Sequence, residues 1–250
     1  MAERREARPE SEIIVTSEPV AKASKAVKLR PAASMVLLDR RGSEPKVLLG
    51  RRNDALAFLP GKYVFPGGGL ETDDLSMPAA GALHESSRKR LLLRRPLRGP
   101  TPEAFALTAI RETFEETGLL LGMKLQTAST TQVPAGWRDF AAYGFAPNLT
   151  PLHFIARAVT PTWLARRYDT SFFLLDVSEI AHRIEGCVAP EAELVELAWL
   201  TLAEARQRDI ISITDMILAD LEIRIAADFA GNMPVPFFYM RSQRWICEKL

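Results

Sequence analysis

Three glutamates, Glu112, Glu115 and Glu116, sit three and four residues apart in the segment Arg111-Glu112-Thr113-Phe114-Glu115-Glu116-Thr117-Gly118-Leu119. At about 100° per residue that spacing puts three carboxylates on one side of a helix. Like charges so placed repel, and the helix is weakened unless something neutralises them. A hard divalent cation would do so. Mg2+, with Mn2+ as a substitute, takes carboxylate oxygens and substrate phosphate oxygens together. Phosphorus chemistry is therefore the first expectation, set against the plainer reading of a solvated acidic helix face.

The elements that would hold these groups can be read around them. Thr101 suits the N-cap, Pro102 the first helical position, and Glu103 the positive end of the dipole. Gly118 suits the left-handed residue that stops a helix. Leu107, Ile110 and Phe114 fall on the side opposite the glutamates, so that side should face a core. Upstream, Tyr63-Val64-Phe65 leads into Gly67-Gly68-Gly69, where backbone can approach a ligand because no side chain intervenes.

Together these stretches resemble the box of the Nudix family, Gly-x5-Glu-x7-Arg-Glu-U-x-Glu-Glu-x-Gly-U, with U a bulky hydrophobic residue. Arg111, Glu112, Glu115, Glu116, Gly118 and Leu119 match its second half, and Thr113 stands at a U position. Phe65-Pro66-Gly67-Gly68-Gly69-Leu70-Glu71 resembles the first half. Counted from Gly68, the first acidic position falls on Asp74 and the Arg position on Ala82, so Arg111 arrives 29 residues late and the box is interrupted. Glu71 and Asp74 both remain candidates for the first acidic role.

The resemblance implies an α/β/α sandwich around a mixed β-sheet. It also implies hydrolysis of a nucleoside diphosphate linked to another moiety. In that reading Glu112, Glu115 and Glu116 hold the metal with a backbone carbonyl near Gly68, and Glu112, Arg111 and Glu115 form the catalytic set. Arg111 would act mainly by pairing with the carboxylates. Glu112, Glu185, Glu191 and Glu193 all remain open as the general base. Gly67, Gly69, Arg51, Arg88, Arg90 and Arg94 are the expected substrate-binding residues. More loosely, Thr160-Pro161 and Tyr168-Asp169-Thr170-Ser171-Phe172-Phe173 resemble one Nudix subgroup, which includes peroxisomal coenzyme A diphosphatases with an interrupted box. That suggests coenzyme A or acyl-coenzyme A as substrate. ADP-ribose or a dinucleotide is the alternative, and a non-catalytic nucleotide-binding module is the competing class.

Other features narrow the field. A formal charge of +1 over 250 residues gives no overall pull toward nucleic acid or an acidic membrane. No apolar run approaches a membrane span. Cys187 and Cys247 have no metal or redox spacing, and Glu3, Glu6, Glu10, Glu12 and Glu18 argue against an acid-poor transit peptide. A cytoplasmic enzyme acting on a small nucleotide-type molecule is expected, with a homodimer left open. Glu248-Lys249-Leu250 differs from a peroxisomal ending by Glu in place of Ser. His84, His153 and His182 are too scattered for a metal site, and no P-loop or Ser-His-Asp set is evident.

Along the chain, residues 1–30 are expected as a flexible arm with a short edge strand at Glu12 to Thr16. Residues 31–205 are expected to form the Nudix-type domain, and 206–250 a helix and strand packed on it. Ala33 to Leu38 and Lys46 to Arg51 predict a hairpin; Pro151 to Val159, Thr170 to Val177, Ala192 to Leu200 and Pro234 to Arg241 predict strands. Trp137 to Tyr143 and Asp215 to Phe229 predict helices, with Gly231 stopping the second, and Thr201 to Glu204 reads as a capping box. The insertion, 75–100, carries six basic residues in eleven positions around Leu91-Leu92-Leu93. It predicts either a solvated basic loop or a cap over substrate phosphates.

Overall fold

The computed structural model describes residues 12–14, 27–125, 132–229 and 233–250. Its strands are β1 Glu12–Ile14, β2 Leu29–Asp39, β3 Lys46–Arg52, β4 Tyr63–Val64, β5 Gly67–Gly69, β6 Leu119–Leu120, β7 Gly122–Lys124, β8 Phe145–Pro147, β9 His153–Val159, β10 Arg167–Asp176, β11 His182–Arg183, β12 Leu194–Thr201, β13 Pro236–Arg241 and β14 Arg244–Lys249. The α-helices are α1 Glu85–Leu92, α2 Pro102–Thr117, α3 Arg138–Ala142, α4 Leu202–Arg206 and α5 Ser212–Ala226.

An apolar run such as Met35 to Leu38 suits a strand covered on both faces, and that is where β2 lies. Ala33, Met35 and Leu37 point into one core with α2, while Val36 and Leu38 point into a second core with α4 and α5. The main sheet runs β1-β14-β13-β9-β10-β2-β3-β12. It is mixed, because β10 lies parallel to β2 while β3 and β9 pair antiparallel. The helices on its two faces complete the sandwich that the family resemblance implied. Among the described residues no helix is long and apolar enough to cross a membrane.

One irregularity creates the site. β2 and β3 pair only at Leu38↔Val47 and Asp39↔Lys46, then part. Into the gap come β5, pairing with Ala32 to Ser34, and β4, pairing with Gly50 and Arg51. The glycine segment is therefore a strand wedged into an opened hairpin.

Several boundaries differ from expectation. α5 starts at Ser212 and ends at Ala226, where Asp228 and Phe229 take left-handed φ of 46° and 53°. Gly231, its expected stop, lies outside the described residues, as do Val15 and Thr16 of the proposed edge strand. Glu12–Ile14 does pair at the edge, with β14. β14 itself went unforeseen: it returns from β13 through Ser242 and Gln243, both left-handed at 50° and 61°. The insertion forms α1, packed on α2 and β9, and of its leucine run only Leu91 is buried.

Candidate active site

α2 takes its predicted ends. Thr101 Oγ1 accepts from Ala104 N–H, and Gly118 closes the helix at φ 70°. A side chain at Gly118 would sit 2.3 Å from the Ile184 carbonyl oxygen, so glycine is required twice over there. The helix is buried on more than one side. Arg111 is 3% exposed and Glu116 8%, so the carboxylates do not form a solvated stripe. Thr113, at a position where the family pattern has a hydrophobic residue, settles its hydroxyl on the Ala109 carbonyl at 2.6 Å.

Arg111 and Asp74 organise the site. Arg111 Nε and Nη2 donate to Asp74 Oδ1 and Oδ2 at 2.9 and 3.0 Å, a two-pronged pair that suits a guanidinium fork. Nη2 also donates to the Gly69 carbonyl at 3.0 Å, which ties helix to glycine segment. Nη1 lies 3.0 Å from Glu112 Oε1 and 3.1 Å from Glu115 Oε2. Asp74, fully buried, accepts in addition from Thr108 Oγ1, Trp137 Nε1 and Glu71 N–H. Of the two candidates for the first acidic role, Asp74 therefore fills the structural one, as the count from Gly68 indicates. Burial opposes the Arg111 charge, but the Asp74 hydrogen bonds and the charges of Glu112, Asp74 and Glu115 outweigh it and raise its pKa.

The glutamates divide. Glu115 is turned to Arg111 and its side chain is 45% exposed. Glu116 Oε2 accepts from Gly67 N–H at 2.9 Å, and the Glu112 carboxylate lies 2.6 Å from where a Cβ on Gly68 would stand. Glycine at 68 thus leaves the space that Glu112 occupies. Burial pushes the Glu112 carboxyl up to about 7 against the pull of Arg111. Burial and then the Glu112 charge raise Glu116 well above its ordinary value. Two carboxylates that repel each other, Glu116 buried and Glu112 partly so, oxygen donors throughout, fit a hard cation. Among the described residues no three His, Cys, Asp or Glu side chains are grouped to hold a metal by themselves. The donor set is the Glu112–Glu116 pair beside the Gly67–Gly68 backbone, and Mg2+ needs only one or two carboxylates plus substrate phosphates.

The other predicted residues fall elsewhere. Arg51 shares the β3 parity of Val47 and Leu49, whose side chains enter the core beneath α5. It is engaged by Asp54 at 2.9 Å, away from the glutamates. Its neighbour Arg52 has the parity of Leu48, on the α2 side, and its charge acts on Glu116. The period-two alternation of β3 was the signal that could have picked Arg52 over Arg51. Arg52 Nη1 holds Glu193 Oε1 at 2.8 Å, and the Glu193 charge acts on both Glu112 and Glu116. Glu185 instead pairs with Arg183 at 3.2 Å in an exposed position.

The insertion's arginines are largely committed to docking it. Arg88 binds Glu103 at 2.6 Å, on the first turn of α2, nine residues and so roughly 13 Å along the helix from Glu112. Arg90 donates to the Met233 carbonyl, and Arg94 pairs with Glu248. Arg95 is buried, stacked 3.8 Å over Phe105 and bonded to Ser171 Oγ at 2.8 Å. Beside it Arg157 grips Asp169 through two 2.7 Å bonds. Arg88 and Arg90 are not brought to the carboxylates, so the cap over the phosphates is replaced by a docked helix and strap.

A family model described as NUDIX domain matches residues 28–220. The acyl-coenzyme A diphosphatase NUDT19 of Gallus gallus is 32% identical over 239 residues, covering 72% of this chain and 62% of the relative. That of Homo sapiens is 28% identical over 211 residues, covering 65% and 55%. The chain thus spans less than two thirds of the length of these curated relatives. A crystal structure of a NUDIX hydrolase from Alicyclobacillus acidocaldarius superposes with a TM-score of 0.59 at 26% identity, over 80% of this chain and 96% of that one.

Proposed function

This chain belongs to the NUDIX family, and on that premise we propose that it is a Mg2+-dependent pyrophosphohydrolase of coenzyme A or acyl-coenzyme A. The Glu112–Glu116 pair against Gly67 and Gly68, braced by Arg111 and Asp74, is the observation that carries the hydrolytic reading. The substrate class rests on the relatives named acyl-coenzyme A diphosphatases.

Glu112, Glu116 and backbone at Gly68 would hold the metal. When bound, Mg2+ screens the pyrophosphate, orients it and acidifies water. The chain's own residues do the rest. Gly67 N–H fixes one oxygen of Glu116, and Arg111 fixes Glu112 and Glu115 from behind, so the carboxylates are set before substrate arrives. Such preorganisation spares the reorganisation cost at the moment of reaction. Glu193, held by Arg52 beside the pair, is the best placed of the four base candidates to accept the proton of an attacking water.

The test is product analysis of acyl-coenzyme A, free coenzyme A, ADP-ribose and dinucleotides, each with Mg2+, Mn2+ or chelator. Release of 3′,5′-ADP with 4′-phosphopantetheine or its acyl form, abolished by chelator, is expected. Turnover confined to ADP-ribose or dinucleotides would move the assignment to those substrates. No turnover of any of them would favour a nucleotide-binding module.

A further inference from the structure

Two neighbouring residues at the end of β3 take hold of the same glutamate. Arg52 Nη1 meets the Glu193 carboxylate at 2.8 Å, and Asn53 takes the main chain beside it. Asn53 N–H donates to the Glu193 carbonyl at 2.9 Å. Its side-chain Nδ2 donates to the Pro190 and Ala192 carbonyls at 2.8 and 3.1 Å. Asn53 Oδ1 accepts from Ala55 N–H at 3.0 Å, which turns the chain away after β3. An asparagine amide offers two hydrogens and an acceptor oxygen, and here both ends are used. Aspartate has no such hydrogens, and serine has one.

The segment so held is the one that brings Glu193 to the Glu112–Glu116 pair. It leaves α2 at Ile184, whose N–H donates to the Gly118 carbonyl at 2.9 Å, and no residue from 184 to 193 is buried. β12 then enters the sheet through a bulge: Leu194 pairs with Arg52 and Glu196 with Arg51, so Val195 is an extra residue. The bulge turns Leu194 to the side of Arg52, buried over Gly50, where any side chain would run into it. Glu193, one residue earlier, has no such packing, and its side chain is 52% exposed. An ion pair half in water contributes little and does not by itself fix a long side chain. What fixes Glu193 is its main chain, and Asn53 holds that.

We propose that Asn53 is a positioning residue of the hydrolytic reaction, clamping residues 190–193 so that the Glu193 carboxylate stands on Arg52 beside Glu112 and Glu116. The inference rests on the reading of Glu193 as the base. Arg52 sets the direction of the carboxylate, and Asn53 sets the backbone position from which it reaches. A base must stand within hydrogen-bond reach of the water it deprotonates, and a misplacement of about 1 Å can cost about a hundredfold in rate. A segment without buried residues has nothing but these hydrogen bonds to prevent such a shift. Asn53 meets main chain at each of them, so its loss should be felt in the chemical step and not in metal or substrate binding.

Steady-state kinetics on Asn53→Ala and Asn53→Asp, each alone and in a Glu193→Gln background, test it with the best-cleaved substrate of the panel above. Asp keeps the oxygen that Ala55 N–H binds but gives up the amide hydrogens, so it separates the clamp from the turn and carries the test where Asn53→Ala fails to fold. Either variant alone is expected to lose about ten- to a hundredfold in kcat with KM within about twofold of wild type. The Mg2+-induced rise in melting temperature should equal that of wild type. In the Glu193→Gln background the same substitutions should cost no more than about twofold, because the group they displace no longer acts as a base. Wild-type kcat in the folded Asn53 variants, or an equal loss in both backgrounds, overturns the positioning role and leaves Glu193 as the base. A wild type without turnover, or a Glu193→Gln protein with wild-type kcat, removes the base itself and the positioning role with it.

Discussion

The Arg111–Asp74 pair offers the sharpest test of how the site is built. Asp74 is fully buried and accepts five hydrogen bonds, two from Arg111 and one each from Thr108, Trp137 and Glu71. Asp74→Asn keeps the volume, removes the charge and turns an amide N–H₂ toward Arg111, which can only donate, and toward either Trp137 Nε1 or Glu71 N–H, which also only donate. Arg111, 3% exposed, would keep its charge with its main partner gone. Breaking a buried pair from one side costs about 3–5 kcal/mol, a large share of a typical stability of 5–15 kcal/mol. For a chain of this length about 2–4 °C of melting temperature goes with each kcal/mol, so a drop of roughly 6–20 °C is expected. Urea titration should show the midpoint falling at constant slope. Glu71→Gln is the control, because Glu71 is exposed and should shift stability by no more than about 0.5 kcal/mol. Hydrolysis by the folded fraction should fall too, since Arg111 also braces Glu112 and the Gly69 carbonyl. An Asp74→Asn protein that melts within about 2 °C of wild type, or a Glu71→Gln protein that melts as low as Asp74→Asn is predicted to, would refute this account.

Four further outcomes are expected. Glu116→Gln should abolish turnover and the Mg2+-induced rise in melting temperature, while the metal-free protein melts at or above wild type because one of two like charges is gone; a Mg2+ response equal to wild type would reject Glu116 as a ligand. In chelator, the raised pKa of Glu112 means its contribution is full at pH below about 4.5 and lost as pH rises through about 7, so the melting temperature should fall across that window and flatten with Mg2+; a rise in chelator would contradict the assignment. Glu193→Gln should lower kcat with little change in KM, which steady-state kinetics on any accepted substrate will show, and unchanged kcat would return the base to Glu112 or Glu191. Asp169→Asn should cost about 3–5 kcal/mol by leaving Arg157 and Arg95 buried beside each other, whereas Arg95→Met should be close to neutral, and chemical denaturation that ranks them the other way would break the docking scheme.

Much of the site was legible because its signals are local. Thr101, Pro102 and Gly118 mark the ends of α2 within eighteen residues, and the parity of Ala33, Met35 and Leu37 against Val36 and Leu38 sorts β2 onto its two cores. What escaped depends on partners far along the chain. The insertion's charge pattern cannot reveal that Arg94 meets Glu248, that Arg90 meets the Met233 carbonyl, or that Arg95 meets Ser171. A helical wheel sees the glutamates opposite the apolar side, but cannot see β5 closing over that side and burying Glu116. β14 was missed because Ser242-Gln243 lacks the Asn-Gly type of hairpin signal, although the backbone adopts the same left-handed pair.

The parallel ladder between β2 and β10 has a consequence for how the protein comes into being. Leu29 pairs with Arg167, so β2 has no parallel partner until that second segment exists. During synthesis at about 5–20 residues per second, β2 therefore waits on the order of ten to thirty seconds for its neighbour. Through that interval the glycine strand can lean on one side of β2 while the other presents unpaired backbone and a run of apolar side chains. The interior strand against which the glycine segment lies is thus the one that nascent-chain chaperones have most reason to shield, and slow codons between the two segments would lengthen its exposure.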